Sequence, residues 1–171
     1  MGNFYSNFVV LDSKAEEVLA ATEEMKREAY VIGMPDKMTV VCDERCDTQD
    51  TVEIERLGAA LCGRFNRPVF GAMNHDDDHL LLWLFHRGAI ARYESCADAF
   101  RFAWKVSRVR GGVLVYPLLV FALAWPVVIF QVFRHWMVAA VLALPPQTVG
   151  YGYDYIERGD FPEDFPDIKR K

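Results

Sequence analysis

Two periodicities of apolar residues organise the first half of the chain. Short runs rich in β-branched and aromatic residues predict six strands, over 3–11, 29–34, 38–42, 67–73, 79–85 and 89–93. Apolar residues at helical spacing predict one helix after the first strand and another after the third. Ser13 with Glu16, and Asp47 with Thr48, are expected to begin these helices as capping residues. The predicted order is therefore β-α-β-β-α-β-β-β.

This order predicts an α+β fold. The first six elements match the ferredoxin-like, or split β-α-β, plan, and the last two strands extend its sheet as a β-hairpin. We expect residues 1–95 to form this α+β sandwich domain, with helices on one face. In such a sheet strands three and four run in the same direction on either side of strand one, so their ends lie at one edge.

The second half of the chain has a different character, and residues 96–160 predict an apolar helical extension. Residues 111–130 contain no charged side chain, and the run is long enough for a transmembrane helix. Residues 111–133 are therefore a possible membrane segment. Basic residues precede it and would keep the N-terminal domain in the cytoplasm; they are Arg101, Lys105, Arg108 and Arg110.

The same run also fits a buried layer of short helices. Pro117 and Pro126 divide it, and each proline interrupts a helix. In the helix that follows, Gln131, Arg134 and His135 form a narrow polar stripe, which predicts that His135 lies at the surface. Residues 161–171 are expected to be a flexible tail. The membrane and buried-layer interpretations both remain open at this point.

Composition limits the classes of partner and the compartment. The net charge of −5 argues against nucleic acid, because phosphate binding requires clustered basic side chains. The spacing of the four cysteines does not suggest a disulfide framework. We therefore expect a cytoplasmic protein, with a single-pass inner-membrane protein as the alternative.

Two acidic segments follow the third and fourth predicted strands and are expected to converge at one edge of the sheet. They are CDERCDTQD (42–50) and NHDDDH (74–79). Their carboxylates suit a hard divalent cation, and Cys42 and Cys46 with the two histidines fit a loose zinc spacing. The candidate metal ligands are Asp43, Asp47, His75, Asp76, Asp78 and His79.

A structural interpretation competes with the metal site. Asp and Asn favour turns because their side chains bond to the nearby backbone, and acidic residues suit helix N-termini. The sequence favours this interpretation, in which NHDDDH is the polar end of a β-hairpin. No cofactor is assigned, and a divalent metal stays an alternative.

Catalytic residues are not assigned. His75 and His86 could act as general bases and Ser95 or Cys96 as nucleophiles, but no spacing pairs a base with a nucleophile. The chain also contains no GxSxG, P-loop or GxGxxG motif. The sequence therefore favours a protein that is not an enzyme.

Four stretches resemble a family of uncharacterised bacterial proteins. They are MGNFYSNFVV, CDERCDTQD, NHDDDHLLLWLFHRGAIARYES and LALPPQTVGYGYDYIERGDFP. The resemblance implies a small α+β domain followed by a helical C-terminal part, and it implies no activity. In the family pattern the positions of Cys42 and Cys46 are usually not cysteine, and those of His75 and Asp76 resemble turn residues. Family members resemble soluble proteins, with a more polar segment where this chain is apolar.

These observations favour a non-catalytic binding or regulatory module. Its expected partner is another protein, or a second copy of the chain, contacted through the apolar C-terminal half. One alternative is a membrane-anchored sensor or adaptor with a cytoplasmic α+β domain. Another is a metal-dependent enzyme that uses the acidic edge of the sheet.

Overall fold

The computed structural model of the chain describes residues 4–76, 78–110, 114–124, 131–159 and 168–170. The strands are β1 Tyr5–Val10, β2 Ala29–Met34, β3 Met38–Asp43, β4 Val69–His75, β5 His79–His86, β6 Ala89–Tyr93 and β7 Ile168–Arg170. The helices are α1 Ala15–Glu24, α2 Glu44–Asp47, α3 Thr51–Phe65, α4 Ala99–Arg110, α5 Val115–Ala124, α6 Gln131–Val141 and α7 Tyr153–Glu157. Short 3₁₀ turns lie at Pro35–Lys37, Cys96–Asp98 and Pro146–Thr148.

The strands form one sheet in the order β6-β5-β4-β1-β3-β2-β7, with antiparallel neighbours throughout. The predicted α+β class is confirmed, and the hairpin of β5 and β6 extends the sheet beyond β4. Since β1 is antiparallel to both β3 and β4, those two strands run in the same direction. Strand β7 was not predicted; it belongs to the expected flexible tail and pairs with β2. Residues 161–167 and 171 of that tail lie outside the described part.

Helices cover both faces of the sheet, whereas the sequence predicted helices on one face of the α+β domain. Side chains alternate along the strands, so Phe8 and Trp83 lie on one face and Val9 and Leu82 on the other. Helices α1 and α3 cover the first face. Helices α4 to α7 cover the second face, because the C-terminal half packs onto the sheet and shares its core.

The C-terminal half is bonded to the sheet by polar contacts as well. The Asn7 side chain of β1 donates to the backbone oxygens of Thr148 and Tyr151, at 2.7 and 2.8 Å. No helix in the described ranges is long and apolar enough to cross a membrane. Of the possible membrane segment 111–133, residues 111–113 and 125–130 lie outside the described part.

The predicted capping residue of α1 has a different role. Helix α1 follows Lys14, whose side chain makes no capping hydrogen bond. The Ser13 hydroxyl instead donates to the backbone oxygen of Val10 and lies 2.8 Å from the Thr39 hydroxyl. Ser13 therefore joins the end of β1 to β3, so the predicted capping box is wrong.

The expected start of the second predicted helix is also corrected. Asp50, not Asp47 or Thr48, caps α3, by accepting a hydrogen bond from the backbone N–H of Val52 at 2.8 Å. Residues 44–47 form the separate turn α2, which is capped by Asp43. Asp43, Asp47 and Asp50 are all suitable capping residues, and the sequence alone does not show which of them begins which helix.

Two glycines of α3 provide a matched test of the first helical layer. A Cβ on Gly58 would overlap the ring of Phe85, which is 1 % exposed, whereas a Cβ on Gly63 would meet nothing within 4 Å. We expect Gly58→Ala to lower the free energy of unfolding by about 1–3 kcal/mol through overpacking. Gly63→Ala is expected to raise it by up to about 1 kcal/mol, because alanine favours helix.

Urea denaturation of both variants measures the difference. Equal stabilities for Gly58→Ala and Gly63→Ala would show that α3 does not approach β5 as closely as described.

Candidate functional site

Asp43, a candidate metal ligand, ends β3 inside a buried ion cluster. It is 0 % exposed, and Arg27 donates to its two carboxylate oxygens from Nε at 2.9 Å and Nη2 at 2.5 Å. Arg27 also donates from Nη1 to Glu53 on α3 at 2.8 Å. These bonds raise the pKa of Arg27, with Asp43 the largest cause, and lower that of Glu53. The Asp43 carboxylate therefore neutralises a buried guanidinium.

Asp47, another candidate ligand, connects three elements. Its carboxylate accepts hydrogen bonds from the backbone N–H of Ser6 on β1 at 3.3 Å and of Asp154 on α7 at 3.0 Å. Burial raises the pKa of this carboxyl. A Cβ on Gly152 would overlap the Asp47 carboxylate, so glycine is required at this close approach. Asp47 thus caps α7 from another part of the chain.

The two acidic segments meet at one edge of the sheet, through an amide side chain. Gln49 donates from Nε2 to the backbone oxygen of Asn74 at 2.8 Å, and its Oε1 is hydrogen-bonded to His75 Nδ1. The ring of Phe4 packs edge-on against His75, with the centroids 4.9 Å apart. Neither Gln49 nor Phe4 was singled out from the sequence, because neither residue type signals a site.

The remaining candidate ligands form the end of the β4–β5 hairpin. His75 and His79 lie opposite each other in the register, and the backbone N–H of Asp78 donates to the backbone oxygen of His75 at 3.0 Å. Asp76 has a φ of 53°, a conformation that aspartate tolerates in turns. The predicted polar hairpin end is therefore present; Asp77 lies outside the described residues.

Within the described ranges, no group of three or more His, Cys, Asp or Glu side chains is arranged to hold a metal ion. The thiols of Cys42 and Cys46 are buried, and burial raises the pKa of each above its ordinary value. Zinc binds the thiolate form, which this environment disfavours. The structure thus gives Asp43 and Asp47 other partners and keeps both thiols protonated.

The possible nucleophiles Ser95 and Cys96 lie at the turn before α4. The Ser95 hydroxyl is 3.3 Å from the carboxylate of Asp98, in a capping box that begins this turn. Cys96 is exposed. No histidine in the described part of the chain is hydrogen-bonded to either side chain, so these residues do not form a base–nucleophile pair.

Helix α6 has its polar side buried and its aromatic side exposed, so the predicted surface position of His135 is wrong. His135 is 2 % exposed and Arg134 6 %, whereas Phe133 is 51 % and Trp136 52 % exposed. The sheet supplies polar partners that the helical pattern alone could not predict. Tyr5 of β1 places its hydroxyl 2.7 Å from His135 Nδ1.

A second tyrosine of the sheet completes this polar layer. Arg134 donates from Nη1 to the Tyr93 hydroxyl at 2.8 Å, and that hydroxyl donates to the backbone oxygen of Leu123 at 2.9 Å. Burial raises the pKa of Tyr93 and lowers that of His135 to about 3. His135 is therefore neutral at physiological pH, and β6, α5 and α6 are joined by one hydrogen-bonded chain.

The outward sides of α4, α5 and α6 form an apolar surface, which we call the outer helical surface. Its large side chains are each more than half exposed; they are Phe100, Trp104, Leu114, Leu118, Phe121, Phe133 and Trp136. Helix α5 packs against both α4 and α6, so the three helices present adjacent surfaces. Exposed apolar surfaces of this kind commonly mark interaction sites.

Comparison of the chain with protein-family models, with curated proteins and with solved structures found no match. The resemblance to a family of uncharacterised bacterial proteins stays a prediction from sequence. Function is therefore inferred from the side chains of this chain itself.

The buried ion cluster predicts that removing one of its charges lowers the free energy of unfolding by a large amount. We expect Asp43→Asn to lower the free energy of unfolding by about 3–5 kcal/mol, because it leaves the buried Arg27 without its main counterion. Glu24→Gln breaks the exposed ion pair with Arg64 and is expected to cost less than about 1 kcal/mol. Equal costs in urea denaturation would contradict the buried position of Asp43.

The buried neutral His135 predicts a pH dependence of stability. The unfolded chain takes up a proton on this histidine below pH about 6.5, whereas the folded chain does not until pH about 3. Stability is therefore lost as pH falls through this window, by at most about 1.4 kcal/mol per pH unit.

Denaturation at several pH values compares the wild type with two variants. His135→Gln is expected to flatten the slope between these pKa values, and His79→Gln, at an exposed histidine, to leave it unchanged. An unchanged slope in His135→Gln would mean that His135 is accessible to protons in the folded chain.

Proposed function

We propose that the protein is a non-catalytic binding module that docks onto the surface of an anionic lipid bilayer through the outer helical surface. The observation that carries the proposal is the orientation of α6. Phe133 and Trp136 are exposed while Arg134 and His135 are buried. Exposing two large aromatic rings costs free energy in water, and that cost is offset when an apolar phase covers them.

The distribution of charge along the chain supports a lipid bilayer as the apolar phase that covers these rings. Residues 111–153 contain one Asp, Glu, Lys or Arg, namely Arg134, and its side chain is buried under α6. The outward sides of α5 and α6 therefore carry no charge that would have to enter a bilayer. Tryptophan suits the boundary between lipid and water because its ring is apolar and its N–H is polar.

Helix α4 supports the anionic character of that bilayer. Phe100 and Trp104 are exposed on the side towards α5, where Trp104 contacts the ring of Tyr116 at 5.8 Å. Arg101, Lys105 and Arg108 are exposed on the same helix. Aromatic residues beside basic residues are typical of helices that lie in the interface of anionic membranes.

The same basic residues favour a membrane over a second copy of the chain. A two-fold symmetric dimer through this surface would bring like-charged copies of α4 to the rim of one interface. Phospholipid headgroups instead supply negative charge there. Self-association is therefore an alternative outcome of the experiment on this surface.

We propose two finer assignments with this function. A ferredoxin-like core is supported by the order β4-β1-β3-β2 and by α1 and α3 on one face, with β5, β6 and β7 as additions. A cytoplasmic location is supported by the four cysteines, which are all free thiols.

Sedimentation with vesicles tests the docking surface. We expect binding to phosphatidylcholine vesicles that contain phosphatidylglycerol and weaker binding to phosphatidylcholine alone. Leu118→Glu and Trp136→Glu should each weaken binding about tenfold or more, because each replaces an exposed apolar side chain that the bilayer would bury with a charged one. Val52→Glu on α3 is the matched control; Val52 is 60 % exposed on the opposite layer, and its change should have no effect.

The proposal is wrong if the wild type stays in the supernatant with every vesicle, or if Val52→Glu weakens binding as much as Leu118→Glu. A dimer in analytical ultracentrifugation that Leu118→Glu dissociates, without vesicle binding, would assign the surface to a second copy instead.

A further inference from the structure

We propose that the groove between α4 and the β5–β6 hairpin is a binding site for a phosphomonoester group, carried by a soluble molecule or by a lipid headgroup. The inference goes beyond the proposed function, because a soluble ligand could occupy the groove whether or not the outer helical surface meets a membrane. It rests on the shape of the groove, on its charge and on a lining histidine whose buried ring nitrogen has no hydrogen-bond partner among the described residues.

The groove has the size and chemical character of a small-ligand site. Its volume is about 320 Å³, and it lies between the sheet, the turn of the hairpin and the last turns of α4. Leu84, Ala91 and Val109 provide an apolar part. A groove with an apolar part and a few convergent polar groups is typical of small-molecule sites.

Among the described residues that line this groove, the polar side chains are histidine, arginine and lysine. They are His86 and Arg87 from the hairpin and Lys105 and Arg108 from α4. Arg87, Lys105 and Arg108 are exposed, and no ion pair within the described ranges includes any of them. In a chain of net charge −5, three basic residues that have no carboxylate partner among the described residues give this groove a local positive potential that favours an anion.

The neighbouring groove on the other side of Lys105 provides an internal comparison. The described residues that line it include two acidic ones, Glu94 and Asp98, beside Arg92, Arg101 and Lys105 itself. Arg92 pairs with Glu94 at 3.1 Å. Carboxylates thus offset part of the basic charge in that groove, whereas the described residues that line the first groove include no carboxylate.

His86 provides an independent observation. It follows Leu84 on the side of β5 that faces the C-terminal helices, and its Nδ1 is buried without a hydrogen-bond partner among the described residues. Leaving a buried polar nitrogen unsatisfied costs about 1–3 kcal/mol. His86 therefore brings to the wall of the groove a side chain whose hydrogen-bonding capacity is not used by the described residues.

The stability of α4 does not by itself explain why basic residues gather at this groove. Basic residues favour the C-terminal turn of a helix, which accounts for Arg108. It does not account for His86 and Arg87, which belong to a hairpin and line the same groove. Two guanidinium groups and one ammonium group supply more donors than a single carboxylate accepts, and they match the three terminal oxygens of a phosphomonoester.

Calorimetric titration with sn-glycerol 3-phosphate, inorganic phosphate and acetate tests the site. We expect both phosphates to bind and acetate to bind at least about tenfold more weakly, because acetate has fewer acceptor oxygens. Arg87→Gln and Arg108→Gln are each expected to weaken phosphate binding about tenfold or more. Both side chains are exposed, so the variants should fold; Arg64→Gln on α3 carries the same charge change and should bind like the wild type.

Vesicles distinguish the two sources of the phosphomonoester. Tighter binding to phosphatidate than to phosphatidylglycerol at equal content, lost in Arg87→Gln, would support a lipid headgroup. Binding of glycerol phosphate without that preference would support a soluble ligand. Leu118→Glu should weaken vesicle binding about tenfold or more yet keep glycerol phosphate binding, so failure of the docking surface is separable from failure of the groove.

Two results would overturn the inference. One is the absence of binding to both soluble phosphates together with no preference for phosphatidate. The other is an equal loss of binding in Arg64→Gln and Arg87→Gln, which would show that net charge, and not the groove, attracts the anion.

Discussion

The second face of the sheet carries polar side chains that are buried, and the C-terminal half of the chain is arranged to satisfy them. Tyr5, Asn7 and Tyr93 all lie on this face, and each is hydrogen-bonded to the layer that covers it. A buried polar group without a partner costs more than most single contacts supply. The covering layer therefore has to bring polar atoms inwards, and α6 does so with Arg134 and His135. The exposed aromatic surface follows from this constraint, because a short helix that turns its polar side inwards turns its remaining side outwards.

The sheet was largely predictable from the sequence. The extents of β2 and β6 match the predicted segments, because short runs rich in β-branched and aromatic residues, bounded by turn residues, fix a strand locally. The orientation of α6 was not predictable from its own residues. A stripe of Gln131, Arg134 and His135 indicates a solvent face, unless tyrosines distant in sequence supply partners, and only the folded sheet brings those tyrosines into place.

The acidic edge was predictable in position but not in role. The convergence of the segments after β3 and β4 follows from topology, and Gln49 bonding to Asn74 is its result. Sequence showed carboxylates, whose chemistry suits metal binding, capping and ion pairing equally. What distinguishes these roles is the partner, and Arg27 is sixteen residues from Asp43. The sequence did not indicate the basic groove either, because its residues come from separate elements that only the fold brings together. His86 and Arg87 belong to a hairpin, and Lys105 and Arg108 belong to a helix.

The bonds of Asn7 also bear on the order in which the protein is made. Its partners Thr148 and Tyr151 follow it by 141 and 144 residues, and those of Asp47 include a residue 107 positions later. During synthesis strands β1 to β6 precede the helices that cover the second face of the sheet, so that face is exposed until those helices emerge. Nascent chains with an open apolar sheet are prone to aggregation and are typical clients of chaperones. The second face of the sheet therefore gains its polar partners only after residues 148–154 have been synthesised.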